Sequence, residues 1–182
     1  PERLALLEGL GLDYVVVQPF TRQTAETFAY DFVLLLSQNL QMKALWVGPD
    51  FALGRRREGT LPELRRLGEA MGFALHPIAV HVLDGIEVRS QAVRERLRAG
   101  DVSTAARMLG RLYRLPGRVT EGAGRGRALG FPTANVVVEA ERLIPANGVY
   151  AAWTEVGEER WPSAVNIGVR PSFGEETRTV ET

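Results

Sequence analysis

Gly100-Asp101-Val102-Ser103-Thr104-Ala105-Ala106-Arg107-Met108-Leu109-Gly110-Arg111-Leu112-Tyr113-Arg114-Leu115-Pro116-Gly117-Arg118-Val119-Thr120 is where the chain changes its period. Val102–Leu109 has helical spacing, with Asp101 placed to cap its first turn. After Gly110 that spacing is lost. Short β-rich runs replace it, at Tyr113–Thr120, Ala134–Val138, Val149–Val156, Trp161–Ile167 and Thr177–Glu181, with glycines and prolines between them. Such a pattern predicts an antiparallel sheet or small barrel. Upstream, helices and strands alternate. Pro1–Glu8, Thr24–Leu40, Leu61–Met71 and Ser90–Arg98 read as helices, and Gly72 stops the third of these. Tyr14–Val17 and Ala44–Val47 read as buried strands, and Phe73–Val82 as a third extended run. Strand, helix and strand at these spacings predict a parallel, Rossmann-like sheet with crossover helices. The expected domains are therefore 1–111, α/β, and 112–182, all β.

Composition narrows the function classes. The 182 residues include 22 basic and 22 acidic side chains, and the balance holds on each side of Gly110, 13 against 13 and then 9 against 9. A nonspecific nucleic-acid binder needs a basic excess that is missing here. No cysteine is present, which excludes disulfides and cysteine-based zinc sites. The apolar runs, Val33–Leu36 among them, are too short to span a bilayer, and no secretory signal is visible. These features predict a soluble cytoplasmic protein with small-molecule substrates, no nucleic-acid or membrane partner, and room for an oligomer. The chain opens on Pro1 and stops at Thr182 within an expected strand, so it reads as part of a longer protein. Of the basic residues only Lys43 is lysine, a bias expected of a GC-rich genome or of arginine pairing in a heat-adapted protein.

Several stretches carry residue types suited to chemistry. Gly48-Pro49-Asp50-Phe51-Ala52-Leu53-Gly54 follows a strand at the carboxyl edge of the expected parallel sheet, where doubly wound folds bind ligands. It reads equally well as a turn with a capping aspartate. Arg55-Arg56-Arg57 could hold phosphates or stand solvated, and the same applies to Arg89, Arg94, Arg96 and Arg98. His76 and His81, five apart in an extended run, face opposite ways and do not make a shared metal site.

Gly122-Ala123-Gly124-Arg125-Gly126-Arg127-Ala128-Leu129-Gly130-Phe131-Pro132-Thr133-Ala134-Asn135 is the richest stretch. Its glycines let backbone amides approach a ligand, and its two arginines suit phosphate oxygens. Thr133 and Asn135, two apart, face the same way on a strand and offer hard oxygen donors of the kind Mg²⁺ takes beside nucleotide phosphates. A flexible hairpin would show the same glycines. The spacing is neither a Walker A motif nor a dinucleotide fingerprint.

From Gly124 to Asn135 the chain resembles the riboflavin kinase family, marked by Gly-Arg-x-x-Gly-x-Pro-Thr-Ala-Asn. Three further stretches agree in order: Pro145-Ala146-Asn147-Gly148-Val149-Tyr150, then Asn166-Ile167-Gly168-Val169-Arg170-Pro171-Ser172-Phe173, then Val180-Glu181-Thr182. The upstream part resembles the adenylyltransferase domain fused to riboflavin kinase in bacteria. Gly48–Gly54 resembles Gly-x-Asp/Asn-Phe-x-Phe-Gly, continued by Arg57 and Gly59, and Gly100-Asp101-Val102 with Leu109–Tyr113 resembles the junction. Three departures stand out, the mildest being Ser172 where the family has threonine. The family's His-x-Gly-His has no counterpart between Pro1 and Thr182, and of its Ser-Ser-Thr-x-x-Arg only Ser90 and Arg94 stand.

The resemblance implies a bifunctional enzyme that phosphorylates riboflavin to FMN and adenylylates FMN to FAD, with ATP in both steps. It implies Gly124, Gly126, Arg127, Gly130, Pro132 and Thr133 for ATP in the kinase, Thr133 and Asn135 for Mg²⁺, and Tyr150 and Arg170 for flavin. It implies Glu181 as the base that takes the hydroxyl proton. For the adenylyltransferase it implies Gly48, Asp50, Phe51, Gly54, Ser90 and Arg94. Three other readings compete: a flavin- or nucleotide-binding regulator without turnover, a kinase with a degenerate adenylyltransferase domain, and a small barrel for single-stranded nucleic acid. The neutral charge of 111–182 argues against the last.

Overall fold

The computed structural model describes the backbone of residues 2–120, 133–172 and 175–182, and the side chains of all of these but 170–172 and 175–177. They sort into two compact units, Pro1–Val80 and His81–Thr182.

The first unit runs α1 (Glu2–Glu8), α2 (Arg22–Ala25), α3 (Ala29–Leu40), β1 (Ala44–Val47), a 3₁₀ turn (Arg55–Arg57), α4 (Leu61–Met71) and β2 (Ala74–Pro77). β1 and β2 pair in parallel, Ala44 opposite Ala74 through Val47 opposite Pro77, with α4 in the crossover between them. Leu64 and Leu67 of α4 bury with Val33 of α3 and with Phe73, and Met42, Leu45, Leu53 and Leu75 close around them. α4 spans the expected residues. Pro62 sits in its first turn, where a missing N–H costs nothing, and it stops at Gly72, whose φ of 77° is left-handed.

Two expectations fail in this unit. Tyr14–Val17 is no buried strand: no strand pairs with it among the described residues, and its side chains are exposed, Tyr14 to 90%. A β-branched run gains a strand's stability only from a ladder partner and a covered face. Nor is Thr24–Leu40 one helix. Thr21 caps the short α2 by accepting from the Thr24 amide, and α3 starts afresh at Ala29. The reason is tertiary. The Ala29 N–H donates to Glu58 Oε1 at 2.8 Å, so a side chain from the following loop satisfies the first turn of α3.

In the second unit β3 (Val82–Leu83) and β4 (Ile86–Glu87) form a hairpin through Asp84 and Gly85, both at positive φ, as a two-residue hairpin turn requires. α5 (Ser90–Arg98) and α6 (Val102–Leu109) match their expected bounds. The Asp101 carboxylate accepts from the Thr104 amide at 3.0 Å, and that bond is the main reason its pKa lies below the usual carboxylate value. Val93 and Leu97 of α5 bury against Ala105 and Met108 of α6, and Tyr113 and Leu143 pack on the same cluster. This packing draws α5 and α6 into the compact unit that begins at His81.

Five strands, β5 (Gly117–Thr120), β6 (Asn135–Val138), β7 (Gly148–Val156), β8 (Glu159–Ser172) and β9 (Glu175–Glu181), form one antiparallel sheet in the order β5-β6-β9-β8-β7. Among the described residues no helix is long and apolar enough to cross a membrane.

Candidate functional site

The pairing of the sheet places its polar residues. Asn135 of β6 stands opposite Glu181 of β9, and Glu181 stands opposite Asn166 of β8. Thr120 of β5 extends the row on one side and Val149 of β7 on the other. Directly opposed residues share a sheet face. One residue along, Val136, Val180 and Ile167 form the next row, in which Val180 is 5% and Ile167 3% exposed. Side chains alternate along a strand, so an apolar buried row obliges Asn135, Glu181 and Asn166 to point from the other face.

Local hydrogen bonding sets how near these groups come. Ala134 and Thr182 exchange both backbone bonds, at 2.7 and 3.0 Å. Asn135 and Glu181 are then a non-hydrogen-bonded pair, the closer type, with Cα atoms about 4.5 Å apart. Thr133, exposed, precedes that pairing by one residue. A carboxylate between neutral oxygen donors is a set that hard cations accept. No group of three His, Cys, Asp or Glu able to hold a metal exists among the described residues. The donors therefore suit a cation that takes the rest of its ligands from phosphate, not a cage made by the protein alone.

The remaining expected kinase residues fare differently. Gly124, Gly126, Arg127, Gly130 and Pro132 lie outside the described residues. The backbone of Arg170 pairs with Thr177, and its side chain is outside them too. The Tyr150 hydroxyl donates to the Ala146 carbonyl at 2.6 Å, and Tyr150 lies on the Ile167 side of β7, away from Glu181. Sequence reading missed two other features. Arg178 donates to Asn147 Oδ1 and to the Ile144 carbonyl, which fixes the loop before β7. Asn166 completes the Glu181 row, although only its motif had signalled it.

In the first unit the 48–59 loop is built around Ala29. A Cβ on Gly54 would lie 2.6 Å from the Ala29 nitrogen, and one on Gly59 would lie 2.7 Å from the Ala29 Cβ. Leu53 and Gly59 bridge in antiparallel fashion beneath them. Gly48, by contrast, has open space around it. Asp50 gives its carbonyl to Arg57 Nη2 at 2.9 Å, and Phe51 is exposed. Of the three adjacent arginines, Arg55 pairs with Glu26 at 2.8 Å and Arg57 with Asp50, which leaves Arg56, at left-handed φ, without a partner among the described residues. His76 stacks on Trp46 across the parallel pair, ring centres 4.3 Å apart. A cavity in this unit, about 850 Å³, carries Asp31, Glu58 and Glu63. Arg66 holds Glu63 below its ordinary pKa, but the excess of carboxylates repels a phosphate.

Ser90 and Arg94 are brought together. Both line a cavity of about 430 Å³ at the amino end of α5, whose lining also includes Arg89, Arg111, Arg142 and one carboxylate, Glu141. Arg94 makes no ion pair with the described residues, whereas Arg89 is bound to Glu87 at 2.7 Å. A helix amino end with several guanidinium groups has the sign and geometry that a phosphate requires.

The antiparallel sheet thus sets a carboxylate between two carboxamides, and several arginines line the cavity beside α5. Residues 109–182 match the family model described as riboflavin kinase, and residues 1–92 match that described as FAD synthetase. The chain belongs to the family in which these two domains are joined. It is 38% identical over 179 residues to a bifunctional riboflavin kinase/FMN adenylyltransferase of Pseudomonas fluorescens, a match covering 94% of this chain and 57% of that protein. It is 37% identical over 173 residues to the protein of that name in Escherichia coli K12, covering 94% and 55%. The chain thus spans little more than half the length of these relatives. A solved structure described as a macrolide-efflux protein from Streptococcus pneumoniae superposes with a TM-score of 0.87 at 24% identity, covering 99% of this chain and 58% of that one, and it shares the fold.

Proposed function

We propose that the protein makes flavin cofactors in two ATP-dependent steps, with a riboflavin kinase domain at 112–182 and an FMN adenylyltransferase domain at 1–111. In this reading the parallel pair β1–β2 belongs to a Rossmann-like sheet and β5–β9 to a small barrel. In the first step the 5′-hydroxyl oxygen of riboflavin bonds to the γ-phosphorus of ATP as the bond to the bridging oxygen breaks. The hydroxyl proton passes to the Glu181 carboxylate, and FMN and ADP leave. Thr133 and Asn135 would hold Mg²⁺, which neutralises charge on the transferring phosphate. Glu181 needs no unusual acidity for its task, only to stand within hydrogen-bond reach of the hydroxyl. In the second step a phosphate oxygen of FMN bonds to the α-phosphorus of ATP and pyrophosphate leaves. Ser90 and Arg94 would hold phosphate there, and the Gly48–Gly54 loop would carry nucleotide or flavin.

The observation that supports this reading most is the opposition of Asn135 and Glu181 on the face away from buried Val180 and Ile167. It seats an acceptor for a proton beside donors for a cation–phosphate complex, which a binding module without turnover does not need. The test is to incubate the intact protein with riboflavin, ATP and Mg²⁺ and to separate the flavins. FMN followed by FAD is expected. FMN alone would favour a kinase with a degenerate adenylyltransferase domain, and neither product would favour the regulator.

A further inference from the structure

We infer that the carboxamide of Asn166 holds the ribityl chain of the flavin beside Glu181. This rests on the kinase reading above. If the phosphate donor sits over β6, with Thr133 and Asn135, then the acceptor hydroxyl must reach the phosphorus from the other side of Glu181. That side is β8, and the residue of β8 opposite Glu181 is Asn166.

Three features of Asn166 fit a ligand contact. Its carboxamide is exposed and has no hydrogen-bond partner among the described residues, whereas Asn135 and Glu181 are each engaged in an interaction. Its neighbours on the same face are small: Ala164 and Gly168 two residues away along β8. A Cβ added to Gly168 would meet nothing nearer than Asn166 Nδ2, at 3.9 Å, and Gly168 does not adopt a left-handed φ that would call for glycine. What its missing side chain leaves is open surface beside the carboxamide. A carboxamide both donates and accepts, which suits a run of adjacent hydroxyls better than a carboxylate or an ammonium would.

The probes are riboflavin and lumiflavin, which has the ring but lacks the ribityl chain. Each is titrated into the intact protein with Mg²⁺ and a non-hydrolysable ATP analogue, and flavin fluorescence is followed. Asn166→Ala should weaken riboflavin binding between about threefold and tenfold, the effect of losing one neutral hydrogen bond. Lumiflavin binding, binding of the ATP analogue and the melting temperature should not change. In turnover the KM for riboflavin should rise by the same factor and the KM for ATP should not. Wild-type riboflavin affinity in Asn166→Ala overturns the assignment, and so does an equal loss for riboflavin and lumiflavin. A wild-type protein that forms no FMN overturns the kinase reading itself.

Discussion

Substituting Gly54 by alanine tests whether the 48–59 loop is shaped by packing or by a ligand. Gly54 has φ of 77°, a conformation that costs an L-residue about 1–2 kcal/mol. Its added Cβ would also meet Ala29 backbone atoms at 2.6 and 2.8 Å, and neither can swing aside as a flexible side chain would. Overpacking of that kind costs about 1–3 kcal/mol. Together they give roughly 2–5 kcal/mol. Gly48→Ala is the control, because its Cβ would meet nothing within 4 Å. In a chain of this size about 1 kcal/mol moves the melting temperature by about 2–4 °C, so Gly54→Ala should melt at least about 4 °C below the wild type. Hydrogen exchange read by mass spectrometry should show that Ala29–Leu40 loses protection, because the amino end of α3 is what the new methyl displaces. Gly48→Ala should match the wild type in both. A reading in which both glycines serve only a bound nucleotide predicts no change in either without ligand. A Gly54→Ala protein that melts with the wild type and keeps α3 protected would refute the packing argument.

Three other outcomes are expected. Glu181→Gln keeps the shape of the side chain and removes the base, so kinase turnover should fall by roughly 10²-fold or more while riboflavin and ATP binding, read by titration, stay near wild type. Thr133→Ala in the intact protein should abolish FMN formation yet leave FAD formation from supplied FMN nearly intact, and equal loss of both would argue for a single shared site or for misfolding. Asp101 has a folded-state pKa below its ordinary value, chiefly from the Thr104 amide bond, so it contributes stability at neutral pH that is lost as pH falls through that lowered pKa. Asp101→Asn keeps the cap and removes the titration, and acid unfolding of this variant should depend less steeply on pH than that of the wild type.

Much of the fold was legible because much of it is decided locally. Leu61–Met71 and Val102–Leu109 begin and end at signals within a few residues of themselves, such as Pro62, Asp101, Gly72 and Gly110. The failures were nonlocal. Tyr14–Val17 has strand chemistry without a partner, and the start of α3 is decided by Glu58 from beyond β1. The candidate site divides in the same way. Thr133, Asn135 and Glu181 could each be named from a motif, but their grouping could not, because it depends on which residue of β6 and of β8 faces β9. Sequence alone leaves a conditional: Glu181 points to a ligand only if Val180 points to the core. The structure meets that condition through Val136 and Ile167, which flank Val180 in the buried row. A slip of β9 by one residue would turn Glu181 inward and Val180 outward, burying a carboxylate among apolar side chains. The apolar row therefore fixes where the polar one stands. A residue that never meets substrate, Val180, is as much a condition of the proposed chemistry as the glutamate beside it.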